Sequence, residues 1–283
     1  TEVLDLLDLG DWVGVEGELF RTRTGEVTVK VERLRLLSKA LRPLPLGKTE
    51  VLDDGTEVVH SGFSDVETRY RQRYADLAVN PSVREVFVAR TRIVRALRRV
   101  LDEEDYLEVE TPILQPQYGG ALARPFTTHH HSLDRTMYLR IADELYLKRL
   151  LVGMLDRVYE IGKDFRNEGL DRTHNPEFTM LEAYAAFTDY EGMMSLAERL
   201  VLAAAGEALD TPRVEWDGVS IDLSAPWERI TFFEAIERGA GFDARAASDD
   251  ELRAALSGRL EDAGDLSRPR LLDEMFGGFV EPT

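Results

Sequence analysis

Apolar and polar residues alternate along residues 12–42, and glycines interrupt the alternation at three points. Val27, Val29 and Val31 lie two positions apart, which is the spacing of side chains on one face of a β-strand. The pattern predicts three short, half-buried strands, at about 12–21, 26–30 and 32–38. Short strands with an exposed basic face are typical of a small β-barrel, so we expect part of such a barrel here.

From Ser82 onward the apolar residues recur at intervals of three and four, which is the spacing of one face of an α-helix. Ser82 follows Pro81 and is predicted to cap this first helix. The elements predicted after it are a short strand at 107–109, a helix at 143–155, strands at 157–166 and 177–187, and helices at 189–206 and within 226–283. Because strands and helices do not alternate regularly, the order predicts an α+β fold.

The composition excludes several classes of site. The 283 residues include no cysteine, so disulfides, thiolate metal sites and a cysteine nucleophile are excluded. No apolar run approaches the length of a membrane span, and the first residues show no signal-peptide pattern. We therefore expect no membrane partner and a cytoplasmic location.

The net charge of −18 argues against a general nucleic-acid binder, because phosphate affinity comes mostly from lysine and arginine. The basic residues are nevertheless concentrated in the first third of the chain. The segment from Arg21 to Lys48 contains eight lysines and arginines and only two acids. The segment from Arg69 to Arg99 contains nine arginines and only two acids. These segments are either solvated basic faces or a local surface for a polyanion.

The stretch FRNEGLDRTHNPEFTMLEAY, at 165–184, combines basic, acidic and aromatic residues within twenty positions. If its second half is a strand, alternate side chains share one face. That face would carry Phe178, Met180, Glu182 and Tyr184. Burying Glu182 there is costly without a positive partner, and a bound ammonium or guanidinium group would supply one.

The first half of the stretch suits an anion. Arg166 offers a planar fork for phosphate, and Glu168 could orient a neighbouring group. His174 and Asn175 lie on the predicted loop, within reach of a second phosphate or a ribose. The alternative is an amphipathic hairpin whose charges all lie in water, and spacing alone does not choose between the two.

These residues resemble motif 2 of the class II aminoacyl-tRNA synthetases, in the form found in the lysyl-tRNA synthetase family. EEDYLEVETPIL (103–114) resembles motif 1, with Pro112 as its marker. GGALARPFTTHHHSLD (119–134) and MYLRIADELYLKRLLVG (137–153) are similar to the same family, and residues 12–42 to the end of its anticodon-binding OB-fold. The resemblance implies an α+β fold with a class II antiparallel sheet flanked by helices, preceded by a partial OB-fold β-barrel.

The resemblance implies a lysine–tRNA ligase, which uses ATP to form lysyl-adenylate and transfers the lysyl group to the 3′ end of tRNA(Lys). Arg166 would hold the α-phosphate as the catalytic residue. The ATP-binding residues implied are Arg166, Glu168, His174, Asn175 and Phe178, with Phe178 stacked on adenine. The lysine-binding residues implied are Gly120 and Glu144, at the α-amino end, and Glu182 and Tyr184, at the ε-ammonium.

The resemblance also divides the chain. It implies a partial OB-fold anticodon-binding domain at 1–48, a connecting segment at 49–80 and a class II catalytic domain at 81–283. Motif 3 of the family and the acidic residues that hold Mg²⁺ are expected beyond Thr283, so the isolated chain is expected to lack part of the ATP site. A homodimer is implied, in which the apolar face of 83–101 packs against a second copy.

Two other functions stay open. Without motif 3, the chain would be a non-catalytic synthetase-like module that binds tRNA or a regulatory partner. A lysine ligase that modifies an elongation factor shares motif 2 but lacks the OB-fold segment, so residues 12–42 count against it.

Two further groups of residues are interpreted as non-functional. His129, His130 and His131 are adjacent in sequence and lack the i, i+4 spacing of a helical zinc site, so no metal site is predicted. Asp143 is interpreted as a favourable charge at a helix N-terminus.

Overall fold

The structure is a computed structural model, and it describes residues 4–42, 44–51, 57–60, 62–171, 173–209, 211–259 and 264–281. The chain divides into two compact units, Thr1–Thr211 and Pro212–Thr283. The first unit contains every residue of the predicted site. The finer domain boundaries expected at 48 and 80 stay predictions.

The strands of the described residues are β1 (Trp12–Arg21), β2 (Val27–Ser38), β3 (Lys48–Val51), β4 (Glu57–His60), β5 (Leu107–Glu108), β6 (Leu114–Gln115), β7 (Thr127–His130), β8 (Arg135–Leu139), β9 (Arg157–Phe165), β10 (Glu177–Ala185), β11 (Arg213–Trp216) and β12 (Val219–Asp222). The helices are α1 (Val66–Arg71), α2 (Arg73–Val79), α3 (Pro81–Glu103), α4 (Glu144–Val152), α5 (Tyr190–Ala208), α6 (Phe232–Ala240), α7 (Asp249–Leu256) and α8 (Arg268–Phe279). In this part of the chain, β5 pairs with β9 in parallel and the other paired strands are antiparallel. The predicted α+β class with an antiparallel sheet is confirmed.

The N-terminal segment contains two long strands where three short ones were predicted. Glu16 pairs with Arg33 and Gly17 pairs with Val31, so Glu32 is the extra residue of a β-bulge in β2. A bulge interrupts the alternation of side chains without ending the strand. The prediction of a strand end near residue 31 is therefore wrong, and the long β1–β2 pair is consistent with part of an OB-fold barrel.

The connecting segment begins with a hairpin, since β3 and β4 pair in antiparallel register. Residues 52–56, between these two strands, lie outside the described residues. The helices α1 and α2 follow and lead directly into α3.

The helix α3 begins one residue before its predicted cap. Pro81 is its first residue and Asn80 precedes it in an extended conformation, without a side-chain capping bond. The fixed φ of proline suits the first helical position, and its missing N–H needs no partner there. Ser82 therefore lies inside the first turn, and its prediction as the cap is wrong.

The strands β9 and β10 form a sheet with β5, and α3 and α5 pack against one face of this pair. The buried side chains of that layer are Leu101, Tyr106, Tyr159 and Leu196, and Ile161, Leu181, Ala183 and Ala185 pack against them. Because this face is filled by apolar side chains, the opposite face of β9 and β10 is the one available for polar chemistry.

A second sheet has the strand order β6-β8-β7, and the chain that leaves β8 lies beside that polar face. Arg140 follows β8. Its backbone N–H donates to the carbonyl of Ile113, and its own carbonyl accepts from the N–H of Phe165, both at 2.9 Å. These two bonds fix Arg140 beside the end of β9.

The second unit is built around its own core, made of Ile236, Ala244, Leu252, Leu256, Leu271 and Met275. Its helices α6 and α7 both begin with a capping box, formed by Thr231 with Glu234 and by Ser248 with Glu251. The helices predicted within 226–283 are present. Across the described residues of both units, no helix combines the length and apolar character required to cross a membrane.

Candidate functional site

The polar face of β9 and β10 is set by their register. Phe178 pairs with Asp164, Met180 with Gly162, Glu182 with Glu160 and Tyr184 with Val158. Directly paired residues of an antiparallel pair point to the same face. The intervening residues Leu181 and Ala183 pack into the helical core on the other side. The predicted alternation of side chains along β10 is therefore confirmed.

At one end of this face, Arg166 and Phe178 lie together. The guanidinium carbon of Arg166 lies 5.1 Å from the ring centroid of Phe178, within the range of a cation–π contact. The Arg166 Nε–H also donates to the carbonyl of Ile141 at 3.4 Å. The guanidinium group is thus held beside an aromatic platform at the end of β9.

A cavity of about 460 Å³ opens at this end. The residues that line it are Arg166, Glu168, Gly169, Asp171, Thr173, His174, Asn175 and Phe178. The list contains all five residues predicted to bind ATP, so the structure brings them into one concave surface. Its volume lies within the usual range for small-molecule sites, and its arginine, histidine and aromatic ring suit a nucleotide.

The loop between β9 and β10 is organised by Asp171, which the sequence analysis did not select. Its Oδ1 accepts from the backbone N–H groups of Thr173 and His174, at 2.7 and 2.8 Å, and its Oδ2 lies 2.8 Å from Nδ1 of His174. These hydrogen bonds hold the pKa of Asp171 well below its usual value. With Nδ1 bound to Asp171, Nε2 is the ring nitrogen of His174 that can face a ligand.

The predicted lysine-binding residues meet at the other end of the same face. Glu182 Oε1 accepts from the backbone N–H of Asp143 at 3.2 Å, and Glu182 Oε2 accepts from the Tyr184 hydroxyl at 3.0 Å. The same hydroxyl lies 3.5 Å from Glu144 Oε2. Burial and the nearby Glu182 raise the pKa of Tyr184, so it is a neutral donor at physiological pH.

Gly120 approaches the first turn of α4 so closely that only glycine fits. Its φ is +89°, and a Cβ at this position would lie 2.9 Å from the Cβ of Glu144 and 3.1 Å from that of Ala142. The conformation is one that L side chains rarely adopt. The segment at Gly120 is therefore placed against Glu144, as the predicted lysine-binding set requires.

Beneath these residues lies a buried ionic cluster that the sequence analysis missed. Arg140 is 1% exposed. Its Nη1 lies 2.6 Å from Glu160 Oε1 and 2.8 Å from Asp143 Oδ1, and its Nε lies 3.2 Å from Asp164 Oδ1. Nη1 also donates to the Thr111 hydroxyl at 3.0 Å. Opposite Arg140, position 162 is a glycine, because a Cβ there would collide with the guanidinium group.

The interpretation of Asp143 as a simple helix N-terminal charge is wrong. Its side chain makes no capping hydrogen bond to α4 and is fully buried beside Arg140. Burial, reinforced by the neighbouring Asp164, raises the pKa of Asp143 to about 8. Burial likewise raises the pKa of Asp164 to about 6, against the attraction of Arg140. No pattern in the sequence distinguishes these carboxyl groups from exposed ones.

Asp143, Asp164 and Glu182 place carboxylate oxygens within 4.8 Å of one another, which is close enough for a metal ion. Two of these three groups already contact the Arg140 guanidinium, and none of the three lines the cavity at Arg166. The cluster therefore does not fit a magnesium ion bound to nucleotide phosphates. The Mg²⁺ ligands expected beyond Thr283 stay a prediction.

Comparison with known proteins identifies the family. The model of the family described as "tRNA synthetases class II (D, K and N)" matches residues 65–260. The chain is 51% identical over 284 residues to the lysine–tRNA ligase of Christiangramia forsetii, a match that covers 98% of this chain and 49% of that protein. It is also 51% identical over 283 residues to the lysine–tRNA ligase of Moorella thermoacetica, covering 99% of this chain and 55% of that protein.

A third relative, the lysine–tRNA ligase of Pelotomaculum thermopropionicum, is 54% identical over 250 residues, which cover 88% of this chain and 47% of that protein. The chain thus spans about half the length of the curated relatives that it matches. The family model, by contrast, matches well over half of the chain, and its range includes every residue of the predicted site. The chain therefore belongs to the class II tRNA synthetases of the D, K and N group.

Proposed function

We propose that this chain carries the lysine site and part of the ATP site of a lysine–tRNA ligase. The enzyme activates lysine with ATP to form lysyl-adenylate and transfers the lysyl group to the 3′ end of tRNA(Lys). One observation carries the proposal: a cationic, aromatic end at Arg166 and Phe178 and an acidic end at Glu182 and Tyr184 share one face of β9 and β10. The names of the three relatives agree with it.

In this proposal, ATP occupies the cavity at the Arg166 end. Adenine stacks on Phe178, and Arg166 holds the α-phosphate as negative charge develops during attack by the lysine carboxylate. Glu168, His174 and Asn175 contact the adenosine and phosphates, with His174 oriented by Asp171. The reaction needs little proton transfer by the protein, so alignment of the reactants and stabilisation of charge account for most of the catalysis.

Lysine occupies the acidic end. Its ε-ammonium contacts Glu182 and Tyr184, and its α-amino group contacts Glu144 and the backbone at Gly120. Glu182 is half-buried and hydrogen-bonded on both oxygens, so its carboxylate is fixed before the substrate arrives. A carboxylate in this position favours an ammonium group over a neutral side chain of the same length, because a neutral side chain would leave its charge unpaired.

The remaining partners follow from the family. The basic β1–β2 pair, in the segment 1–48, would contact the tRNA anticodon, 49–80 would connect it, and 81–283 would form the catalytic domain. The exposed apolar residues Val86, Phe87 and Val88 on α3 support a homodimer. Mg²⁺ would accompany ATP, held by residues outside this chain, and the location is cytoplasmic.

The test is lysine-dependent exchange of pyrophosphate into ATP by the full-length protein encoded by the gene. We expect exchange with lysine. The Glu182→Gln variant should raise the KM for lysine by about 100-fold or more, with a far smaller effect on the KM for ATP, because it removes the charge that faces the ammonium group. Glu177→Gln, an exposed position on the same strand, is the matched control and should change neither constant.

Absence of lysine-dependent exchange would contradict the ligase and favour the non-catalytic module. Equal effects of Glu182→Gln on lysine and ATP would contradict the role assigned to Glu182 while leaving the activity in place.

A further inference from the structure

The buried and half-buried carboxyl groups near Arg140 outnumber the positive charges that contact them. Asp143, Asp164 and Glu182 place oxygens within 4.8 Å of one another, and Glu160 lies 2.6 Å from Arg140. If all four were ionised, the guanidinium of Arg140 would balance only part of their charge. Buried charge without a partner is strongly unfavourable, so the group requires another cation or a proton.

Arg140 lies close to one oxygen each of Asp143 and Asp164, but it does not satisfy these side chains as hydrogen-bond acceptors. Their side chains are fully buried, and among the described residues no donor gives a well-directed hydrogen bond to any of their four carboxylate oxygens. Two ionised carboxylates only accept, so neither can satisfy the other. A single proton between them supplies the missing donor and removes one negative charge. Neighbouring carboxyl groups commonly titrate in this shared way.

Asp143 connects this pair directly to the substrate end of the face. Its backbone N–H donates to Glu182 Oε1 at 3.2 Å, so the buried pair and the residue proposed to hold the ε-ammonium are in contact. A cation that arrives at half-buried Glu182 therefore lies close to both buried carboxyl groups, where water screens their interaction less than at the surface.

We propose that Asp143 and Asp164 share one proton in the free protein, and that this proton is released to solvent when the substrate's ammonium group binds at Glu182. The inference rests on the proposed function, because it takes lysine as the source of the cation. The step exchanges one cation for another: the carboxyl O–H bond breaks, the proton passes to water or buffer, and the ammonium group enters. The net charge of the site stays constant.

The direction of the pH effect follows from the groups that face the pair. They are Arg140 after β8, Glu160 on β9, Arg166 after β9 and Glu182 on β10. Tyr184 and Glu144 lie one contact further away, where the Tyr184 hydroxyl meets Glu182 and Glu144. An added cation lowers the pKa of both carboxyl groups from their raised values of about 8 and about 6. Lysine affinity should therefore rise with pH across this window, by up to about tenfold per pH unit for one proton released.

The experiment is calorimetric titration of L-lysine into the full-length protein, near neutral pH, in buffers whose ionisation enthalpies differ. The dependence of the observed heat on the buffer gives the number of protons released on binding. We expect the wild-type protein to release most of one proton per site, and Asp143→Asn and Asp164→Asn to bind lysine while releasing almost none. Asp156→Asn, an exposed aspartate just before β9, is the matched control and should behave as wild type.

The outcomes separate this inference from the proposed function. Lysine binding by the wild-type protein without proton release would overturn the shared proton and leave the ligase proposal in place. Absence of lysine binding would overturn both. The number of protons released by the wild-type protein is enough to overturn the shared proton. The test therefore does not depend on whether the asparagine variants fold.

A titration with Mg²⁺ alone, in place of lysine, tests the competing explanation that the three carboxylates form a metal site. Release of the same protons by Mg²⁺, at a site that Asp143→Asn abolishes, would overturn the assignment to an ammonium group. Binding without proton release, or no binding, would support it.

Discussion

Replacing Arg140 with methionine tests how far the polar face of β9 and β10 depends on one buried guanidinium group. Methionine keeps much of the aliphatic length and removes the charge. Arg140 is 1% exposed and lies within 3.2 Å of carboxylate oxygens from Glu160, Asp143 and Asp164. Removing one partner of a buried ion pair typically costs about 3–5 kcal/mol, because the remaining charge is left buried. We expect a loss of this order in the stability of the sheet.

The loss should depend on pH with a definite sign. A carboxyl group whose pKa is raised on folding binds more protons in the folded state, so its contribution to stability falls as pH rises from the unfolded pKa toward the folded one. The pKa values of Asp143 and Asp164 already lie above 3.8, the ordinary value for an aspartate. Without the positive charge of Arg140, both pKa values should rise further. The destabilisation should therefore be greater at about pH 8 than at about pH 6, by up to about 1.4 kcal/mol per pH unit for one added proton.

The assay is hydrogen exchange of the backbone amides of β9 and β10, which reports the stability of this sheet separately from the second unit. Arg98→Met provides the comparison, because Arg98 pairs with Glu108 at 2.9 Å while both side chains are about 40% exposed. Exposed pairs contribute at most about 1 kcal/mol. Equal losses in the two variants, or a loss in Arg140→Met that is unchanged between the two pH values, would refute the reasoning.

Three further predictions concern single positions. Gly120→Ala should raise the KM for lysine with little effect on ATP in steady-state kinetics, because the new Cβ would lie 2.9 Å from that of Glu144 and force the segment away from α4. Phe178→Ala should weaken ATP binding by about tenfold or more, the effect of losing one base-stacking ring, and equilibrium binding of ATP measures it. Ser248→Ala should lower the stability of the second unit by about 1 kcal/mol in urea unfolding, because it removes a capping box completed by Glu251.

The sequence predicted those parts of the site that depend on local periodicity. Side chains two apart on a strand share a face, so the common face of Phe178, Glu182 and Tyr184 followed from a single assumption about β10. The cavity residues between Arg166 and Phe178 lie within thirteen consecutive positions, and a hairpin brings such residues together in any case.

The buried cluster could not be predicted in the same way. Arg140 follows β8, whereas Glu160 and Asp164 both lie on β9, so their contacts depend on how β8 and β9 are placed. In the sequence each resembles an ordinary surface charge, because burial of a charged residue leaves no periodic pattern. The strand break assigned near residue 31 failed for a related reason, since a bulge at Glu32 and a strand end interrupt alternation equally.

The contact between Asp143 and Glu182 makes the two proposals for the acidic end separable. In this contact the backbone N–H of Asp143 donates a hydrogen bond to Glu182. The Asp143→Asn variant therefore keeps the hydrogen bond and changes only the side chain that titrates. A loss of charge at Glu182 should weaken lysine binding at every pH, because the ammonium group loses its direct partner. Loss of the titrating group at Asp143 should instead make the affinity for lysine nearly independent of pH, while lysine still binds tightly. Weakening of equal size at all pH values in both variants would mean that the buried pair holds Glu182 in place and exchanges no proton.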